Sequence, residues 1–109
     1  MMRVRGFFAT SVAGFGLAIA SAGAAHAVCL RIVGVPQGDV LNLRAGPNAG
    51  AEIVRAINPA SPGVLILKRP CGPQAQPKGQ QWCQIRSISG TRLRDGFVNA
   101  RYVEITKCP

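Results

Sequence analysis

Histidine is nearly absent from this sequence. The one copy, His26, falls in the N-terminal segment. Beyond it there is no His general base, no Ser-His pair and no Cys-His pair, which excludes the common nucleophilic hydrolases. Acidic residues are also scarce, limited to Asp39, Glu52, Asp95 and Glu104. Asp39 and Asp95 adjoin Gly38 and Gly96, a setting in which Asp serves turns. Glu52 and Glu104 fall on the edges of predicted strands, in solvent. A paired-carboxylate hydrolase needs two such groups within about 5–10 Å, and no pairing is evident, so no catalytic residue is assigned. The four cysteines include no close C-x-x-C pair, which excludes the usual zinc site; no metal and no cofactor are expected. After residue 27 no apolar run is long enough to span a bilayer. No helical period persists over ten residues, and there is no heptad or internal repeat.

What is present begins with residues 1–27. Arg3 and Arg5 form a positive n-region, residues 6–23 are apolar and uncharged, and Ala25-His26-Ala27 is an A-x-A site. This is the pattern of a secretory signal peptide cleaved after Ala27, leaving a single small domain over residues 28–109. An uncleaved anchor is the alternative, but Gly and Ala dilute the apolar run. The expected location is secreted or periplasmic. All four cysteines, Cys29, Cys71, Cys83 and Cys108, lie in the mature part, and an even count in a short exported chain reads as disulfides.

The chain carries thirteen Lys and Arg against four acidic residues, net +9. Without Arg3 and Arg5 the mature part keeps eleven basic residues and net +7. Such a charge attracts anionic partners: envelope polymers, lipid headgroups or nucleic acid. Export sets nucleic acid aside.

Along the mature part, short apolar runs alternate with Gly, Pro, Asn and Asp. Strands are predicted over residues 30–35, 40–44, 51–57, 64–68 and 81–86, with two more closing segments in "DGFVNA" and "RYVEI". "VLILK" is the most continuous apolar run and the expected most-buried strand. Residues 69–80 read as a long solvated loop, and residues 87–94, around Gly90, as a hairpin connection. The pattern predicts an all-β fold, a small barrel or sandwich.

"VLNLRAGPNAG" is the most informative stretch. It lacks the G-x-x-x-x-G-K-[ST] of a phosphate loop and the βαβ context of a dinucleotide fingerprint. It fits a strand running into a turn. Leu41 and Leu43 point to the core and Arg44 to the other face, where its fork reaches turn carbonyls. Gly46 is expected to take backbone angles closed to β-branched residues, Pro47 to set the chain direction, and Asn48 to stand on an exposed turn.

Leu41, Asn42, Leu43, Arg44, Gly46 and Pro47, followed by Ile53 and Val54, resemble the opening motif of bacterial SH3-like (SH3b) domains. Trp82 and Ile85 are similar to that family's W-x-x-[VI] strand. Gly96, Phe97, Val98, Tyr102 and Val103 are similar to its closing segment, with Phe97 where Trp is usual. The resemblance covers roughly residues 30 to 106. It implies a small SH3-like barrel of five to seven short strands and a non-enzymatic binding role, commonly towards cell-wall peptidoglycan or its peptides. Four cysteines allow three pairings. Cys71 and Cys83 flank one connection, and the termini of an SH3-like barrel lie close, so Cys71–Cys83 and Cys29–Cys108 are expected. Trp82, Tyr102 and Phe97 are candidates for an aromatic ligand face, with Arg92 and Arg94 as flanking cations. The expected partner is a cell-wall or other anionic envelope component, or else a periplasmic protein.

Overall fold

The structure, a computed structural model, describes residues 26–109. The expected signal peptide lies outside the described residues apart from its last two positions. Seven strands form one antiparallel sheet: β1 (Val28–Ile32), β2 (Leu41–Arg44), β3 (Ile53–Ile57), β4 (Val64–Leu67), β5 (Trp82–Ser89), β6 (Arg92–Asn99) and β7 (Val103–Thr106). Their order across the sheet is β3-β2-β6-β5-β4-β1-β7. The expected all-β, disulfide-stapled fold of short strands is therefore the one observed. Among the described residues no helix is long and apolar enough to cross a membrane.

The sheet curls over its own core. Arg55 on β3 reaches Ser87 on β5, three strands away, with Nη1 donating to Ser87 Oγ at 3.0 Å. In a flat sheet those strands would stand about 14 Å apart. Inside the curl lie Leu30, Leu41, Leu43, Ile57, Leu65, Cys83, Ile85, Val98, Ala100 and Val103. Alternation puts them there: β5 buries Cys83, Ile85 and Ser87 and turns Trp82, Gln84 and Arg86 outward. The tightest crossing is at Gly96. A Cβ there would stand 2.7 Å from both the Arg44 carbonyl oxygen and Leu43 Cγ. Only glycine lets β2 pass this close to β6, where Arg44 pairs with Phe97.

Both expected disulfides are present. Cys29–Cys108 spans 79 residues and joins the start of β1 to the chain end beyond β7. Cys71–Cys83 spans 12 residues and ties the β4–β5 connection to β5. Loop-closure entropy values them at about 4.5 and about 3 kcal/mol, upper figures for each.

Several expectations need correction. β4 is not the most buried strand: only Leu65 is buried, while β5 buries three side chains. A single sheet has no second layer over its outer face, so a continuous apolar run is half-covered on alternate residues. Residues 87–94 are mostly strand, not connection. β5 and β6 are eight residues each and pair from Trp82–Asn99 to Ser89–Arg92, leaving only Gly90 and Thr91 to turn. β1 starts at Val28 and ends at Ile32, short of residue 35. Residues 69–80 are mostly exposed, as expected of a solvated loop, and are also tied down. Gly72 and Trp82 exchange backbone hydrogen bonds at 3.1 and 2.8 Å, and Lys78–Gln80 form a 3-10 turn.

Gly46 also departs from expectation. Its φ is not positive, and a Cβ there would meet only Ala51 Cβ and Asn48 Nδ2, at 3.5 and 3.6 Å. Asn48 holds the turn instead. Its amide donates to the Gly46 carbonyl (2.9 Å), and its Oδ1 accepts from the Gly50 amide (3.0 Å). Asp95 serves no turn. It lies within β6, and its carboxylate accepts from Arg86 Nε (2.7 Å), Arg86 Nη2 (3.0 Å) and Lys68 Nζ (2.9 Å). The hydrogen bonds from Arg86, and after them that from Lys68, hold its pKa well below the usual carboxylate range.

Candidate functional site

The aromatic cleft lies at the Trp82 end of the β5–β6 hairpin. It is an open cleft of about 400 Å³ between the strand β2, the connection before it, and the chain turning from β6 into β7. Trp82 opens β5 and Asn99 faces it across the ladder at the end of β6. The chain then makes a 3-10 turn, Ala100–Tyr102, before β7. Asn99 makes both sides of this corner. Its Oδ1 accepts from the Arg101 amide (3.0 Å), capping the turn, and its Nδ2 donates to the Gly79 carbonyl (2.8 Å) of the neighbouring 3-10 turn. One side chain thus ties the turn that presents Arg101 and Tyr102 to the neighbouring turn at Gly79.

Tyr102 is half-buried and packs against the core, which fixes its ring. The Arg101 guanidinium carbon lies 5.9 Å from the Tyr102 ring centroid, at cation–π range. The same guanidinium lies over Gly79, where any side chain would collide with it. Across the cleft, Arg44 donates from Nη1 to the Ala51 carbonyl (2.8 Å), the turn-carbonyl bond expected of it. Asn42, one residue inside the end of β2 and half-buried, also lines the wall. Among the described residues neither Arg44 nor Arg101 enters an ion pair; the observed pairs are Arg31–Glu104, Lys68–Asp95 and Arg86–Asp95. One carboxylate, Asp39, lines the cleft, with Oδ1 accepting from the Val40 amide (2.8 Å). The cleft therefore offers two aromatic faces, two side-chain amides and two unpaired cations against one carboxylate, a balance that suits an anionic ligand with some apolar surface.

The predicted site residues do not all meet here. Trp82 and Tyr102 share the cleft. Phe97 does not line it; it sits one outward pair further along the hairpin, opposite Gln84. Arg92 and Arg94 are at the far end, opposite Ser89 and Ser87. Seven residue steps along β5 separate Trp82 from Ser89, roughly 23 Å at the rise of an extended chain. Arg101, Asn99 and Asn42 complete the cleft and were not singled out as ligand residues in the sequence. The one usable signal was the adjacency of Arg101 to Tyr102. Among the described residues no group of three or more His, Cys, Asp or Glu gathers as a metal set. All four cysteines are bonded in pairs.

No protein-family model, no curated protein and no solved structure matches this chain.

Proposed function

We propose that this protein is an exported, non-enzymatic binding module of the bacterial SH3-like kind, which associates with cell-wall peptidoglycan or another anionic envelope component. The observation that carries this reading is the convergence of Trp82, Tyr102, Arg44 and Arg101 on one open cleft with two unpaired cations. Net charge after removal of the signal peptide, and two disulfides of the kind that persist in oxidising compartments, support it. Processing is checked first: N-terminal sequencing of the exported protein is expected to begin Val28-Cys29.

The test of binding is a pull-down on purified sacculi at low and high salt, with each variant first shown to be folded. Screening shortens from about 10 Å at 0.1 M to about 3 Å at 1 M salt. Arg101→Gln is expected to lose binding mainly at low salt. Trp82→Ala is expected to lose it at both, since stacking resists salt. Folded wild type that is not retained at low salt overturns the envelope reading.

One observation favours a second reading, a periplasmic protein-interaction module. β7 is an edge strand and Ile105 on it is 72% exposed, beside an apolar groove of about 660 Å³ that Val28, Leu67 and Val103 also line. Exposed apolar edges suit strand addition by a partner. Co-purification of one protein, lost in Ile105→Lys and kept in Trp82→Ala, selects this reading over the first.

A further inference from the structure

The far end of the β5–β6 hairpin carries a second cleft, of about 300 Å³, with a different chemistry. No aromatic residue and no carboxylate lines it. Its walls are Arg55, Asn58, Ser61, Ser89 and Arg92, with Ser87 at the base. Ser87 is the one buried polar side chain among the described residues, 1% exposed, in the middle of β5. It is there to hold Arg55. Arg55 Nη1 donates to the Ser87 carbonyl (3.1 Å) and to Ser87 Oγ (3.0 Å). A guanidinium has five N–H donors, two of them on Nη1. The Nε and Nη2 donors, the side-on fork that suits a tetrahedral oxyanion, have no partner among the described residues.

The surroundings favour an anion as that partner. Arg92 lines the same cleft and enters no ion pair among the described residues. Asp95 and Glu104 are engaged by other cations, Asp39 lies in the aromatic cleft, and Glu52 neither lines this cleft nor pairs with either arginine. Asn58 Oδ1 accepts from the Ala60 amide (2.9 Å), which orients its Nδ2 as the remaining donor. Ser61 and Ser89 add hydroxyls. Two fixed or nearby arginines match the charge of a phosphate, and the neutral donors match its remaining oxygens.

We propose that Arg55 and Arg92 form a phosphate-group site, separate from the aromatic cleft, with Ser87 as the buried residue that positions Arg55. The phosphate comes from a soluble phosphate ester or from a phospholipid headgroup. Both present at least two non-bridging phosphate oxygens to the forks.

The probe is inorganic phosphate, titrated against the side-chain Nε–H signals of the full mature protein by NMR, with chloride at matched ionic strength as reference. Phosphate is expected to shift the Arg55 and Arg92 signals and to saturate. Arg92→Gln and Arg55→Lys are each expected to weaken binding about tenfold. The lysine variant keeps the charge and loses the fork, so its loss reports geometry rather than net charge. Lys107→Gln, an exposed charge-matched control outside the cleft, is expected to bind as wild type. Equal weakening in Lys107→Gln, full binding by Arg55→Lys, or no shift beyond chloride each overturns the site. Vesicles of phosphatidylglycerol, with phosphatidylcholine as reference, then separate the sources. Competition with phosphate for Arg92 identifies the headgroup, and its absence identifies the soluble ester.

Discussion

The two ends of the β5–β6 hairpin hold arginines over clefts by opposite means. At the Trp82 end the ties hold connections in place. The Cys71–Cys83 disulfide and the Gly72–Trp82 backbone pair hold the β4–β5 connection against the start of β5, and the Asn99 side chain ties that connection to the β6–β7 turn beside the aromatic cleft. At the Arg92 end the ties are to the sheet itself. Arg55 is anchored on buried Ser87, and Gly63 packs directly on the Ile88 backbone where β4 begins. A cleft walled by connections has a shape that depends on a few bonds. A side chain anchored on a central strand needs only the strand. The aromatic end should therefore lose its site to several different substitutions, and the far end chiefly to those that disturb the sheet.

The largest expected effect is at the far end. Gly63 has φ +67°, and a Cβ there runs into the Ile88 carbonyl. Gly63→Val should cost about 3–5 kcal/mol, from left-handed backbone strain and overlap with the sheet. Denaturant unfolding reads this, and a loss below about 1 kcal/mol would mean that the sheet gives way there as loops do. Next comes the covalent tie of the aromatic end. Cys71→Ala/Cys83→Ala should cost about 3 kcal/mol. It should also weaken binding at the aromatic cleft while leaving phosphate shifts at Arg92 in place. Asn99→Ala follows at about 1–2 kcal/mol, since it removes a turn cap and a part-buried hydrogen bond together. Its signature is a larger loss in sacculus binding than in thermal midpoint.

Midway along the hairpin, Asp95→Asn should cost at most about 1 kcal/mol, because the ion pairs are open to solvent and screened. Its mark is in pH. The folded pKa is depressed, so the contribution is present above the ordinary carboxylate value near 4 and is lost as pH falls towards the folded value. The variant should flatten the acid limb of stability below about pH 4 and match wild type in shape above it. An unchanged acid limb would remove Asp95 from that role. Smallest is Arg92→Gln, exposed and unpaired, with a stability change within about 0.5 kcal/mol despite its expected effect on phosphate. A large loss of stability would make Arg92 a structural residue.

Some of this was legible from residue order alone. Two-residue alternation located the strands, because a strand turns successive side chains to opposite faces whatever lies around it. Leu41 and Leu43 are buried as that alternation requires, and Arg44 bonds to a turn carbonyl as its fork beside the turn suggested. The cysteine pairing followed from chain order and the implied closeness of the barrel ends. Local pattern failed where one residue's role depends on a distant one. The Gly-Pro turn predicts backbone angles at Gly46 that are closed to β-branched residues, yet its φ is not positive and Asn48 holds that turn. Gly63 and Gly96, by contrast, are pressed against backbone from another part of the sheet.

Site membership was decided only by tertiary structure. Arg92 and Arg94 lie close to Trp82 in sequence, but an extended strand moves away at about 3.3 Å per residue, so they end at the opposite end of the hairpin. Arg55 and Ser87 are 32 residues apart and touch, because the sheet curls until its third neighbour closes over β5. The sequence determined which side chains face in or out and which cysteines could staple the fold. Register and curl, which depend on long-range pairing, determined which arginine stands beside an aromatic ring and which stands over a buried serine.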